Sequence, residues 1–97
     1  MEDTEDNLVR IGKKPAMNYV VACLTLFNKG INEIVLRARG RAISTAVDVV
    51  ELLRRAFISN LVVNSVEIGT EEVGQPDGRK TSVSTIEIKL GKKPSQS

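Results

Sequence analysis

The sequence predicts a two-layer α/β (α+β) sandwich, in which two helices cover one sheet and the elements follow the order β-α-β-α-β-β. Two observations lead to this fold class. Apolar residues recur at helical spacing in two stretches and alternate with polar residues in the others. The chain has 97 residues, 41% of them hydrophobic and 3% aromatic, so we expect one domain with a small aliphatic core.

The first half of the chain contains two predicted strands around one helix. Residues 8–12 form a short apolar strand, and Pro15 suits the first turn of a helix, where a missing N–H does no harm. Gly30 ends that helix, and residues 31–39 alternate as in a half-buried strand. The apolar stripe predicted for the helix is Met17, Val20, Val21, Leu24 and Phe27 or Asn28.

The second half contains a helix and a hairpin. Gly40 breaks the strand, and a helix is predicted over residues 41–58, with the core stripe Ile43, Ala46, Val47, Val50, Leu53 or Arg54, and Phe57. Strands 61–73 and 81–90 flank the turn signal Gln75-Pro76-Asp77-Gly78. More apolar side chains lie off the helix stripe, at Ala42, Val49, Leu52 and Ala56. Either this helix is sunk deep in the monomer or a homodimer partner covers it, and for so short a chain we favour the homodimer.

The charge is unevenly distributed. Four acidic residues lie in the first six positions, and the remainder has 14 Lys and Arg against eight Asp and Glu, a net charge of +6. A basic domain of this kind indicates a polyanionic partner. We expect a disordered acidic tail over residues 1–7, one domain over 8–91 and a flexible tail over 92–97. No apolar stretch has transmembrane length, and the acidic start is unlike a signal peptide, so a cytoplasmic protein is expected.

The sequence lacks the residue types and motifs that are typical of an enzyme active site or a metal site. The chain has no histidine, the commonest general base near neutral pH. Its one cysteine, Cys23, lies between Ala22 and Leu24 in an apolar helix, which predicts a buried, inert thiol. No phosphate-binding glycine loop and no Cys/His cluster occurs. We therefore expect no catalytic activity, no cofactor and no metal.

Two adjacent lysines precede the first helix. Lys13 and Lys14 stand just before Pro15, at the positive end of the helix dipole, where cations are disfavoured by roughly 0.3–1 kcal/mol each. That placement does not stabilise the fold, but it suits an external phosphate, which the helix N–H groups would also attract. The alternative is a solvated loop in which the lysines only aid solubility.

Arginines follow at the end of the second strand and at the hairpin tip. Arg37 and Arg39 share one strand face, and Gly40 before Arg41 lets backbone approach a ligand closely. Guanidinium groups bind phosphate oxygens in pairs. The alternatives are a charged sheet edge that prevents aggregation and, for Arg79-Lys80, an ordinary exposed turn.

The scarcity of aromatic residues bears on whether a nucleic-acid partner is single-stranded or duplex. Both phenylalanines are expected to be buried, so no stacking platform for single strands is present. Binding to the phosphate backbone of a duplex, with little sequence preference, is the better expectation. A protein-interaction module without a nucleic-acid partner remains an alternative.

The sequence resembles the Alba family of small archaeal DNA- and RNA-binding chromatin proteins. The similarity is carried by Ile11-Gly12-Lys13-Lys14-Pro15-Ala16-Met17-Asn18-Tyr19-Val20, by Ala38-Arg39-Gly40-Arg41-Ala42-Ile43-Ser44 and by Ser84-Thr85-Ile86-Glu87-Ile88. The resemblance implies a fold similar to the C-terminal domain of translation initiation factor three. It also implies a homodimer that binds double-stranded DNA, and RNA, on the chromosome. The alternative within this resemblance is an RNA-binding scaffold subunit of a ribonucleoprotein such as ribonuclease P.

The resemblance also implies roles for single residues. Lys13 and Lys14 would be central contacts, and acetylation of Lys13 would weaken binding, which would make a lysine acetyltransferase and a deacetylase partners. Arg39 and Arg41 would belong to the basic turn of the family.

Two further roles concern the hairpin and the second helix. Arg79 and Lys80 would lie on hairpin arms that enter the minor groove. Phe57 would mediate packing between dimers along DNA.

Overall fold

The computed structural model describes residues 4–5 and 7–94. The predicted order of elements, and with it the α+β fold class, is confirmed. The elements are β1 (Leu8–Arg10), α1 (Ala16–Asn28), β2 (Ile34–Arg39), α2 (Ala42–Leu52), β3 (Leu61–Gly74) and β4 (Lys80–Lys92), and a π-helical turn, Leu53–Phe57, continues α2.

The sheet is mixed, with the strand order β1-β2-β4-β3. β1 and β2 are parallel, β2 and β4 are antiparallel, and β3 and β4 form a hairpin paired from Leu61↔Lys92 to Gly74↔Lys80. Because β1 and β2 are parallel, both end at the same edge of the sheet. The hairpin extends beyond that edge, since Arg39 pairs with Thr85 and the strands continue to Lys80. The molecule is therefore elongated, at 58 × 24 × 22 Å.

The core lies between the sheet and the two helices. In β2, Ile34, Leu36 and Ala38 face the helices and are at most 5% exposed, whereas Arg37 and Arg39 are exposed on the other face, as the alternation predicts. The core residues that the helices and the other strands contribute include Val9, Val20, Cys23, Phe27, Ala46, Val49, Leu53, Ile88 and Leu90.

The stripe predicted for α1 is partly wrong. Met17 and Val21 are 45% and 52% exposed, although they were expected in the core. The buried residues of the helix are Tyr19, Val20, Ala22, Cys23, Leu26 and Phe27. α1 is apolar around most of its circumference, so helical spacing alone fits two neighbouring stripes. Tyr19 can be buried because backbone N–H groups donate hydrogen bonds to its hydroxyl.

The stripe predicted for α2 also needs correction. Val47 and Phe57 are 45% and 49% exposed, whereas Val49, which was expected off the core stripe, is fully buried. In the π-helical turn, the N–H of Ile58 donates to the carbonyl of Leu53 at 2.7 Å, which inserts one residue into the helical repeat. This extra residue rotates Phe57 out of the core.

The predicted tails lie partly outside the described residues. Inside them, Thr4–Glu5 forms a two-residue strand antiparallel to β1, which extends the sheet to five strands. At the other end, the N–H of Lys93 donates to the carbonyl of Asn60 at 2.9 Å. These backbone hydrogen bonds reach into the segments for which tails are predicted, and the division into one domain and two tails stays a prediction. Among the residues described, no helix is long and apolar enough to cross a membrane.

Candidate nucleic-acid interface

The predicted lysine pair lies in the loop between β1 and α1. Lys13 and Lys14 are exposed. The hydroxyl oxygen of Tyr19, in the first turn of α1, accepts hydrogen bonds from the backbone N–H of Gly12 at 2.9 Å and of Lys14 at 3.1 Å. α1 begins without a side-chain cap and has no acidic residue in its first turn. Two exposed lysines therefore lie beside the positive end of an uncapped helix, a combination that favours an external anion.

The turn between β2 and α2 presents Arg41. Gly40 has φ of +57°, a left-handed conformation that glycine adopts without steric cost. Its N–H donates to the carbonyl of Ser84 at 2.8 Å, which ties the turn to β4. Arg41 is exposed at the start of α2, a helix that also lacks a side-chain cap and an acidic first turn.

The predicted basic tip closes the β3–β4 hairpin. The N–H of Gln75 donates to the carbonyl of Arg79 at 2.7 Å, and Gly78 takes a φ of +88°. Asp77 accepts hydrogen bonds from the backbone N–H of Arg79 at 3.0 Å and from its Nε at 2.7 Å. These two bonds, the backbone one first, lower the pKa of Asp77 from its usual value. Arg79 is thus paired at the tip, beside the exposed Lys80.

The outer face, meaning the sheet face opposite the helices, carries the remaining predicted arginines. Arg37 donates through Nε and Nη2 to Glu87 at 2.9 and 2.8 Å, and Arg39 donates through Nη1 to Glu71 at 2.9 Å. The four side chains are 24–59% exposed. Ion pairs this open to solvent contribute only about 0–1 kcal/mol. Both arginines are therefore paired, but weakly enough that a phosphate can replace the carboxylate.

The parallel strands bring most of these cations to one end of the molecule, which we call the basic end: Lys13, Lys14, Arg39 and Arg41. The N–H of Ile11 donates to the carbonyl of Arg37 at 2.8 Å, so β1 and β2 leave the sheet side by side. Arg37 lies on β2, two residues before Arg39 and so further from this end. Arg79 and Lys80 lie at the tip of the β3–β4 hairpin, which projects from this end as an arm. Within the described chain, Lys13, Arg41 and Lys80 have no ion pair.

Two residues that contribute to this site were not predicted as site residues, one exposed and one buried beneath the loop. Arg10 lies opposite Arg37 in the β1–β2 register, and both border a depression in the outer face together with Glu67, Glu71 and Glu87. The alternation of Arg10 with the buried Val9 and Ile11 could have revealed it. No role was predicted for Tyr19, because a single tyrosine in an apolar helix forms no motif with its neighbours.

Other predictions about side-chain chemistry concern residues outside the basic end. Cys23 is fully buried, as predicted, and burial raises the pKa of its thiol to about 12. Glu51 pairs with Arg54 and Arg55 along the helix, as expected for a solvated face. Among the described residues, no group of three or more His, Cys, Asp or Glu could hold a metal ion.

Comparisons with known proteins match both the sequence and the fold. The Alba family model matches residues 7–70, which include Lys13, Lys14 and Arg41 but end before the hairpin tip. The structure of Alba from Thermoplasma volcanium is similar with a TM-score of 0.84 and 43% identity, over 89% of this chain and 100% of that one. The structure of ALBA1 from Trypanosoma brucei is similar with a TM-score of 0.74 and 28% identity, over 93% of this chain and 72% of that one.

Proposed function

The chain belongs to the Alba family of nucleic-acid-binding proteins, and from this premise we propose that it is an architectural protein of the chromosome, which binds double-stranded DNA without sequence preference and also binds RNA. The observation that carries the proposal is the basic end, where the parallel pairing of β1 and β2 gathers Lys13, Lys14, Arg39 and Arg41 beside the projecting hairpin arm. In this proposal the phosphate backbone is contacted by Lys13, Lys14, Arg37, Arg39 and Arg41, and the hairpin tip, with Arg79 and Lys80, enters the minor groove. Contacts of this kind position a duplex without selecting its sequence. The protein has no catalytic role and resides in the cytoplasm on the chromosome.

The proposal predicts a steep salt dependence of duplex binding. If each protomer neutralises about five phosphates, log affinity falls with log salt at a slope of about −4.5 per bound protomer, which is about a 500-fold loss for each protomer between 50 and 200 mM. Fluorescence anisotropy with DNA duplexes of unrelated sequence measures the slope, and an RNA duplex of equal length compares the two nucleic acids. An affinity that does not change with salt would contradict the proposal.

The acidic partners on the outer face are expected to lower the affinity for nucleic acid. Glu71→Gln with Glu87→Gln removes two negative charges and releases Arg39 and Arg37 from their ion pairs. We expect about three- to tenfold tighter duplex binding at low salt, because each exposed pair that must be broken contributes only about 0–1 kcal/mol. Titration of the same duplex with both proteins measures the gain.

Glu51→Gln provides the matched control for that experiment. Glu51 also pairs with arginines, Arg54 and Arg55, but it lies on α2, where no phosphate contact is predicted beyond the start of the helix. Its replacement should leave affinity unchanged. Glu51→Gln removes one negative charge where the outer-face variant removes two, so a gain half as large on a logarithmic scale would mean that only the net charge matters, and would contradict specific roles for Arg37 and Arg39.

A homodimer is the second part of the proposal. The helices pack on β1, on β2 and on each other. On the helix side of the sheet, β3 bears Val66 and Ile68, the register partners of the buried Ile88 and the partly buried Ile86. Val66 and Ile68 are 52% and 83% exposed. Val63 on β3 and Val47 on α2 add further exposed apolar surface. An exposed apolar surface of this kind fits a two-fold partner that presents the same surface, and such a dimer would double every basic cluster on the nucleic acid.

Two finer roles belong to this proposal as well. Phe57, at 49% exposed, is apolar and available for packing between neighbouring dimers along DNA. Lys13 is exposed and has no ion pair in the described chain, so a lysine acetyltransferase could reach it and a deacetylase could reverse the change. Acetylation would remove one charge from the basic end and weaken binding.

A further inference from the structure

We propose that Tyr19 is a positioning residue for nucleic-acid binding, whose phenol oxygen holds the loop of residues 12–14 so that Lys13 and Lys14 face the same polyanion. This inference rests on the proposed function and adds the residue that fixes the lysines in place.

The geometry of the two hydrogen bonds carries the inference. The two donors, the N–H groups of Gly12 and Lys14, stand on either side of Lys13 along the chain, at 2.9 and 3.1 Å from the same oxygen. One acceptor therefore fixes the backbone before and after Lys13. Tyr19 is itself 3% exposed and packed in the core, so the acceptor is rigid.

The hydroxyl is not explained by packing alone. A phenylalanine ring would fill the same apolar site without bringing a polar atom into it, and a buried hydroxyl is unfavourable unless it is hydrogen-bonded. Here its hydrogen-bond partners are loop N–H groups rather than other core groups. Since α1 has no side-chain cap, the phenol supplies the tie between loop and helix that a capping residue would otherwise give.

Positioning matters because an ordered loop loses less entropy on binding. Fixing a flexible backbone and its side chains opposes association, and pre-ordering the loop in the free protein removes that penalty. A loop without the phenol would keep both ammonium charges but present them in many orientations. The number of phosphates neutralised would stay the same while the affinity fell.

Tyr19→Phe tests the inference. We expect the variant to bind a DNA duplex about three- to tenfold more weakly, the range that corresponds to about one net hydrogen bond, with an unchanged salt slope. In the free protein, amide hydrogen exchange should accelerate at Gly12 and Lys14 and stay unchanged in β2 and β4. Thr25→Val is the matched control, because the hydroxyl that it removes donates, within the described residues, only along α1, to the carbonyl of Val21 at 2.9 Å. It should change neither measurement.

A double-mutant cycle separates positioning from a general structural role. In a chain that already carries Lys13→Ala and Lys14→Ala, Tyr19→Phe should have no further effect on affinity. An equal loss in that background, or unchanged exchange at Gly12 and Lys14, would overturn the inference. If the wild-type chain does not bind a duplex, the proposed function fails instead, and amide exchange alone then decides whether Tyr19 orders the loop.

Discussion

Replacing Lys13 and Lys14 together by alanine should weaken duplex binding about 100-fold at low salt, without changing the fold. Both side chains are exposed, so their loss removes no packing. A hydrogen bond to a charged group contributes about 1.5 kcal/mol at the low end of its range, and the loss of two such contacts, about 3 kcal/mol, corresponds to a factor on the order of 100. Anisotropy titration measures the affinity, and the salt slope should fall by about 0.9 for each lysine.

The chain contains its own control for this prediction. Lys92 and Lys93 form a second adjacent, exposed lysine pair, at the opposite end of the molecule from Lys13 and Lys14. Changing them to alanine lowers the net charge equally, and we expect less than a threefold effect. Equal losses from both pairs would show that only total charge matters. Within the first pair, Lys13→Gln removes the same charge as acetylation and should give part of the loss, whereas Lys13→Arg should retain the affinity.

The order of helices and strands was predictable because glycines and turn residues mark where one element ends and the next begins. Gly40 and the turn at 75–78 separate stretches whose apolar periodicity differs, and in the structure glycines at both turns take positive φ. Which helix face is buried was less predictable. α1 and α2 carry apolar residues on two sides, one toward the sheet and one that stays exposed. The spacing of Val47 and Val49 therefore does not indicate which of the two is buried. The π-helical turn that moves Phe57 outward leaves no mark in the apolar periodicity.

The candidate site also has a part that the sequence predicts and a part that it does not. Lys13, Lys14 and Arg41 were identified because each stands in a short segment with its own turn residue, and the parallel pairing of β1 and β2 then brings them together. The ion pairs of the outer face join residues 50 and 32 positions apart, Arg37 with Glu87 and Arg39 with Glu71. No local pattern predicts such pairs, because they depend on the register between β2, β4 and β3. The contacts of the Tyr19 hydroxyl depend likewise on how the loop folds back over α1.

Ile68→Glu should convert the proposed dimer into a folded monomer. Ile68 is 83% exposed in the single chain, so a charged side chain there has little effect on the fold of one protomer. In a two-fold dimer the same change occurs twice. Losing the burial of an isoleucine disfavours association by about 1.5–3 kcal/mol per copy, so the dimer dissociation constant should rise by a factor on the order of 100 or more. Light scattering across micromolar concentrations measures the mass, and circular dichroism checks the fold.

Val21→Glu tests whether the effect belongs to the β3 surface rather than to any exposed apolar residue. Val21 is 52% exposed on α1, away from β3, and its replacement should leave the dimer intact. If Ile68→Glu gives a monomer, its duplex affinity should also fall about 100-fold, because two linked basic ends bind with avidity that a single one lacks. A wild-type chain that is monomeric at micromolar concentration would contradict the dimer. Binding to duplex would then have to come from one basic end alone, and the salt slope of the wild type and of Ile68→Glu would be the same.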